Sequence, residues 1–196
     1  REEITINRLS GMGVFKYINL NFEEDSARNT LHTRINLVPY KRKSIRLQLN
    51  AVTKSNSFVG PFFSASFINR NFLGGGERFR VSLTSGFEAQ LNRGDLSGLN
   101  SYELGVDASL TVPRLIVPFH VNESDSKYDF STTYAVGVRT QRRVGFFTLF
   151  STDVQMGYRW NHRVIHRYEA YPVNVNLFNL ARSSEAFQEL LENDPF

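Results

Sequence analysis

Long runs of strictly alternating apolar and polar residues constrain this chain more than any other feature. In the clearest run, residues 79–91 (FRVSLTSGFEAQL), the odd positions are apolar except Ser85, and the even positions are polar or glycine. Alternation of this kind predicts a β-strand with one apolar face. From residue 44 onward we predict about seven such strands and a mainly β fold. They cover residues 44–53, 58–72, 79–91, 101–112, 130–140, 146–161 and 170–178.

The length of these runs helps to distinguish strands surrounded by water from strands that cross a membrane. Strands of soluble proteins are mostly about 5 or 6 residues long, whereas a tilted strand that crosses a bilayer needs about 9 to 11. Period 2 alone fits both a soluble sandwich and a membrane barrel. Strand length, a polar face of small residues and aromatic residues near strand ends favour the membrane barrel. Those aromatic residues are Tyr102, Phe130, Tyr158 and Trp160.

The polar face of the predicted strands carries charges among serine, threonine and glycine. In a membrane barrel this face would line a wet lumen, while the apolar face would contact lipid. The residues predicted to face the lumen are Arg80, Glu88, Glu103, Asp107, Arg139, Asp153 and Arg159. We predict that they either form a polar cluster in the pore or wet its inner wall.

Composition excludes several classes of function. No stretch approaches the roughly 18 consecutive apolar residues of a membrane helix. This excludes membrane-spanning helices but not membrane-spanning strands. The net charge is +4 without a basic block, so we predict no nucleic-acid partner, and the absence of cysteine excludes disulfides and thiol chemistry. His162 and His166 are four apart, but Arg163 stands where a helical zinc pair needs glutamate. We therefore predict no metal, no cofactor and no catalytic residues, and that the protein is not an enzyme.

The first 41 residues have a different pattern. Residues 2–12 have helical spacing and end at Gly13, and residues 14–24 and 30–40 alternate as two strands. We predict an α+β module at 1–41, followed by the sheet at 42–196. A short amphipathic helix is predicted near 183–193.

Several motifs, in this order, resemble the BamA/TamA family of outer-membrane assembly factors. INRLSGMGVFKYINLNFEE (6–24) looks like the end of a POTRA domain, and FINRNFLGGGERFRVSLTSGFEAQ (67–90) resembles the second and third barrel strands. TVPRLIVPF (111–119) and MGYRWN (156–161) are similar to the ends of the fourth and sixth strands. The resemblance implies the C-terminal part of the last POTRA domain, then the first half of an antiparallel transmembrane β-barrel.

The same resemblance implies a function and a location. It implies insertion of nascent outer-membrane proteins into the bacterial outer membrane, with the POTRA part in the periplasm. The partners would be outer-membrane lipids, the nascent proteins and periplasmic or lipoprotein accessory subunits. The family's barrel has sixteen strands, and its Arg-Gly-Phe motif would follow Phe196, so we expect an interior piece of a longer protein.

Two segments receive roles from the resemblance. Gly74, Gly75 and Gly76 would form a tight periplasmic turn, which places the helix near 183–193 in an extracellular loop. The first strand would form a lateral gate on which client strands pair, the alternative being an ordinary interior strand. Its lipid-facing candidates are Ile45, Leu47, Leu49 and Ala51.

Two other functions stay open at this point. A two-partner-secretion-type translocation pore would use a similar barrel and differ in its number of POTRA domains. A soluble all-β ligand-binding module would fold alone and stay in solution without detergent.

Overall fold

The structure of the protein is a computed structural model that describes residues 2–25, 30–53, 58–90, 101–118, 128–162 and 166–183. The fold is mainly β and antiparallel, which confirms the predicted class at that level. Within the described ranges, no helix is both long and apolar enough to cross a membrane. The elements in chain order are α1 (Glu2–Gly11), β1 (Phe15–Asp25), β2 (Thr30–Pro39), β3 (Lys43–Thr53), β4 (Phe58–Asn69), β5 (Arg78–Gln90), β6 (Ser101–Val112), β7 (Tyr128–Arg143), β8 (Phe147–His162) and β9 (His166–Ser183).

The N-terminal unit consists of α1 and a two-stranded antiparallel sheet of β1 and β2. The helix ends where the amides of Met12 and Gly13 donate to the carbonyls of Arg8 and Ser10. Alternation places Ile18, Leu20 and Phe22 on one face of β1, opposite Leu37, Ile35 and Thr33 of β2. This hairpin is separate from the large sheet, since β2 and β3 belong to different sheets.

Strands β3 to β9 form one seven-stranded antiparallel sheet in which each strand pairs with its neighbours in sequence. The register aligns the apolar positions of all seven strands. One row that crosses the whole sheet consists of Leu47, Ala65, Leu83, Val106, Val138, Thr152 and Leu177. Because side chains alternate, the adjacent row is on the opposite face. It consists of Gln48, Ser64, Thr84, Gly105, Arg139, Ser151 and Phe178.

The large sheet is a single layer over most of its area. Among the described residues, the only buried hydrophobic side chains are Ile68 and Val112, and both lie at one end of the sheet. Val106 and Val138, near the middle of the apolar face, are about half exposed. The described part of the chain therefore supplies no second layer for this face.

The end of the sheet nearest the N-terminal unit is called the junction end. It carries the connection between β4 and β5 and the segment that follows β6. A β-carbon placed on Gly76 would be in van der Waals contact with Met12, Val14 and Pro113, at 3.4 to 3.5 Å. The α1–β1 connection thus packs against the junction end. The short turn of Val144, Gly145 and Phe146 between β7 and β8 lies at the opposite end.

Candidate functional surfaces of the sheet

Strand β3 is an edge of the large sheet. It pairs with β4 on one side, and within the described residues no strand pairs with its other side. Ile45, Leu47 and Leu49 are 72%, 66% and 74% exposed, and Ala51 is exposed too. The four predicted gate residues lie on the apolar face, opposite Phe67, Ala65, Phe63 and Pro61 of β4. The strand therefore presents both an open backbone edge and an uncovered apolar face.

Aromatic pairs lie at both ends of the apolar face. Trp160 stacks on Tyr168 at the junction end, with 5.6 Å between ring centroids. Phe87 and Tyr102 are 5.2 Å apart near the other end. The sequence suggested aromatic residues near strand ends, and the register shows that these pairs come from adjacent strands.

The polar residues predicted to face the lumen all share the second face of the sheet. The register shows this, because each pairs with a residue of the polar rows. The pairs are Arg80 with Ser109, Glu88 with Ser101, Glu103 with Gln141, Asp107 with Gly137, Arg139 with Ser151, Asp153 with Asn176 and Arg159 with Ser131. Whether this face lines a closed lumen stays a prediction.

Two ion pairs cross neighbouring strands on the polar face. Arg139 Nε lies 3.3 Å from Glu103 Oε1, and Arg159 Nε donates to Glu169 Oε1 at 2.8 Å. Tyr171 donates its hydroxyl hydrogen to the other Glu169 oxygen at 2.8 Å. Because these groups are largely exposed, water screens both ion pairs and they add little to stability. Glu169 and Tyr171 were not among the residues singled out from the sequence.

Two of the charges predicted on the polar face, Asp107 and Asp153, converge over Gly137. A β-carbon placed on Gly137 would lie 2.6 Å from both carboxylate oxygens of Asp153 and 2.7 Å from Oδ1 of Asp107. The two carboxylates therefore occupy the space that a side chain at position 137 would fill. The sequence feature that could have indicated this close approach is a glycine at a polar-face position inside a long alternating strand.

Gly74, Gly75 and Gly76, predicted to form a tight periplasmic turn, lie in the connection between β4 and β5. Residues 70–77 form an eight-residue connection between Asn69 and Arg78, in which Gly74 and Gly76 have φ of 102° and 85°. Side chains from both ends close it: Gly76 N donates to Asn71 Oδ1 at 3.0 Å and Gly75 N to Glu77 Oε2 at 2.9 Å. These two hydrogen bonds hold the backbone around Gly75 and Gly76.

Glu77 is held in its charged form by that connection. Backbone amides, first its own and then those of Gly75 and Leu73, hold the pKa of Glu77 below its ordinary value, and Arg114 adds a smaller effect. Donors to a carboxylate stabilise the ionised form. The glycine connection is thus most stable when Glu77 is ionised.

The segment that follows β6 is anchored on the apolar face at the junction end. Thr132 is fully buried; its hydroxyl donates to Arg114 O at 2.8 Å and accepts from Ile116 N at 2.9 Å. Tyr158, directly opposite Thr132, donates to Ile116 O at 2.9 Å. The prolines in TVPRLIVPF signalled the end of a strand but not this anchor.

Two further predictions concern the last part of the chain. His162 and His166 are the closing backbone pair of the β8–β9 hairpin, so their spacing reflects a strand connection rather than a helix. Among the described residues, no group of three or more metal-ligating side chains occurs. Of the helix predicted near 183–193, Ser183 is the last residue of β9, and the remainder lies outside the described residues.

No model of a known protein family, no curated protein and no solved structure matches this chain.

Proposed function

We propose that the chain belongs to a bacterial outer-membrane protein-assembly factor, in which β3 to β9 cross the membrane and the edge of β3 templates client β-strands. The observation that carries the proposal is the combination of an uncovered apolar face with an open edge strand beside it. The N-terminal unit, as the end of a POTRA domain, would stand in the periplasm.

The spacing of the aromatic pairs supports the membrane part of the proposal. Tyr102 is opposite Arg142 and Trp160 is opposite Phe130, so along β7 the pairs are separated by the twelve steps from 130 to 142. At about 3.3 Å per residue this is about 40 Å, or about 28 Å across the bilayer at a tilt of about 45°. Aromatic girdles flank an apolar band of about 25 Å in outer-membrane barrels.

The uncovered face favours a membrane over bulk water. A soluble sandwich buries the apolar face of one sheet against a second sheet. The described residues provide no such layer, and the row through Val106 and Val138 stays half exposed. A ligand-binding module in solution would need a cover that this part of the chain does not contain.

The edge of β3 supports the client-binding part. An unpaired strand presents a row of N–H and C=O groups on which another strand can pair. Leu47 and Leu49 of β3 are exposed on the apolar face, so a client strand added there would continue the lipid-facing surface. The chain would act as a template and carry out no bond chemistry. Lipids, nascent outer-membrane proteins and accessory subunits of the periplasm or of the lipoprotein class would be its partners.

Proline substitutions in β3 can disturb its open edge without disturbing its hydrogen bonds to β4. Adjacent residues of a strand direct their N–H groups to opposite sides, so of Gln48 and Leu49 one amide faces β4 and the other faces the open edge. Proline at the position that faces β4 removes a ladder hydrogen bond, whereas proline at the open position does not. We therefore compare Gln48→Pro and Leu49→Pro, with alanine at both positions as matched controls.

The assay is the folding rate of an unfolded outer-membrane barrel protein into vesicles that contain the full-length protein. The proline variant that keeps wild-type thermal stability should lose the acceleration that wild type gives, and both alanine variants should keep it. Full acceleration by the proline variant that keeps wild-type thermal stability would contradict templating by β3.

A further inference from the structure

Four arginines gather on the polar face at the junction end and are here called the arginine cluster. Arg78 is the first residue of β5 and pairs with Thr111, and Arg80 follows two residues later on the same face. Arg70 directly follows β4, beyond the pair of Asn69 with Phe79. Arg159 reaches the cluster from β8, and the other three guanidinium groups all repel that of Arg78.

The positive charge of the cluster is only partly neutralised. Arg159 is paired with Glu169, and Arg70 donates to Lys41 O at 3.2 Å and Ser44 Oγ at 3.1 Å, which are neutral acceptors. Among the described residues, neither Arg78 nor Arg80 has a carboxylate within ion-pair distance. Like charges held together without counter-charges are costly unless an anion joins them.

Hydroxyl groups line the sheet beneath the cluster. Ser66 and Ser82 are linked by a 3.0 Å hydrogen bond, and Thr111 and Thr133 by one of 3.1 Å. These residues are on the same face as Arg80 and Arg78, on the strands that carry them or next to them. Small hydroxyl side chains leave space above the sheet and offer additional donors to an anion.

The N-terminal unit covers one side of the cluster. A side chain at Gly13, in the α1–β1 connection, would overlap the guanidinium group of Arg78, so this glycine allows close packing. Arg78 is consequently half-buried, whereas Arg80 remains exposed. Partial burial strengthens the attraction of Arg78 for an anion, because less water screens the charge.

We infer that the arginine cluster binds carboxylate groups of an acidic polypeptide segment at the junction end of the polar face. The planar fork of arginine matches a carboxylate through two parallel hydrogen bonds. Phosphate groups of lipids share this chemistry, but the cluster is on the face opposite the uncovered apolar one. That preference for a polypeptide rests on the proposed function, in which the apolar face contacts lipid.

The test uses the full-length protein in vesicles of zwitterionic phospholipid and a fluorescent peptide of alternating serine and glutamate. Binding is followed by fluorescence anisotropy, with the serine–glutamine peptide as the neutral probe. Loss of one charge-assisted hydrogen bond raises Kd about tenfold. Arg78→Gln and Arg80→Gln should therefore each weaken binding of the acidic peptide about tenfold. Added salt should weaken it in wild type.

Arg142→Gln is the control, because it removes the same charge from an exposed residue near the opposite end of the sheet, on the apolar face where it pairs with Tyr102. It should bind the acidic peptide like wild type. Wild-type affinity in both cluster variants, or equal affinity for the neutral peptide, would overturn the inference. Displacement of the peptide by vesicles containing anionic phospholipid, but not by zwitterionic ones, would assign the site to lipid phosphate and overturn the polypeptide assignment.

The same preparations separate this inference from the proposed function. Cysteine cross-links between β3 and a client strand report on the edge and do not involve the cluster. Cross-links without peptide binding would remove the cluster's role and leave the edge proposal standing. Peptide binding through Arg78 and Arg80 without cross-links would contradict the edge proposal and leave the binding of acidic segments by the cluster standing.

Discussion

Arginine at the centre of the apolar face tests whether that face lies in lipid or in water. Val154 is near the middle of β8, between Val136 of β7 and Val175 of β9, and it is 42% exposed. The next residue, Gln155, is on the polar face between Ala135 and Asn174. Val154→Arg and Gln155→Arg thus place the same charge at one depth on opposite faces.

The two environments predict different free energies of unfolding for Val154→Arg. On the lipid face of a barrel, arginine near the midplane costs about 2 to 4 kcal/mol. At about 1.4 kcal/mol per factor of ten, the folded-to-unfolded ratio would fall by about 30-fold to several hundredfold. On a water-exposed surface the change would be within about 0.5 kcal/mol. Gln155→Arg should change stability little in both cases, because its face is polar.

The assay is reversible folding of the full-length protein into phosphatidylcholine vesicles, followed by circular dichroism across a urea series. We expect Val154→Arg to shift the midpoint to lower urea and Gln155→Arg to stay near wild type. Equal midpoints for the two variants, or a larger loss for Gln155→Arg, would refute the assignment of the apolar face to lipid.

Three further predictions concern single sites. Gly137→Ala should destabilise the protein by about 1 to 3 kcal/mol in urea unfolding, because the methyl group enters the space of two carboxylates. Adding Asp153→Ala should recover part of this loss. If the effects of the two substitutions on the free energy of unfolding simply add, the crowding at Gly137 is contradicted. Thr132→Val should cost about 1 to 3 kcal/mol and speed tryptic cleavage after Arg114, since the part-buried Ile116 N loses its acceptor. Thr133→Val is the milder control. The stabilisation of wild type over Glu77→Gln should be present at neutral pH and lost as pH falls through the depressed pKa of Glu77. A pH-independent difference between those two proteins would contradict it.

The mainly β, antiparallel character of the fold could be predicted from the sequence because period 2 is a local signal. The alternation of residues 79–91 is enough to separate Val81 from Ser82. What lies beside Val81 depends on how separate strands align, and the register places Phe67 of β4 and Ala108 of β6 there. Closure of the sheet into a barrel and membership of a POTRA domain remain predictions.

The details of the polar face were less accessible from the sequence for a related reason. Asp107 and Asp153 could be assigned to one face, but their meeting over Gly137 depends on two registers at once. The three glycines predict a turn, but its shape depends on Asn71 and Glu77, whose side chains supply the acceptors. The anchor at Thr132 joins residues far apart in sequence and left no periodic signal.

The most direct test of templating by β3 is a cysteine scan of residues 43–53 of the full-length protein against the terminal strand of a stalled client. The proposal predicts disulfide adducts that follow a single register and recur at every second residue, as strand pairing requires. A cysteine at Val106, in the interior strand β6, should give no adduct. Active protein without adducts along β3, or with equal adducts at Val106, would contradict the claim that the open edge receives the client strand.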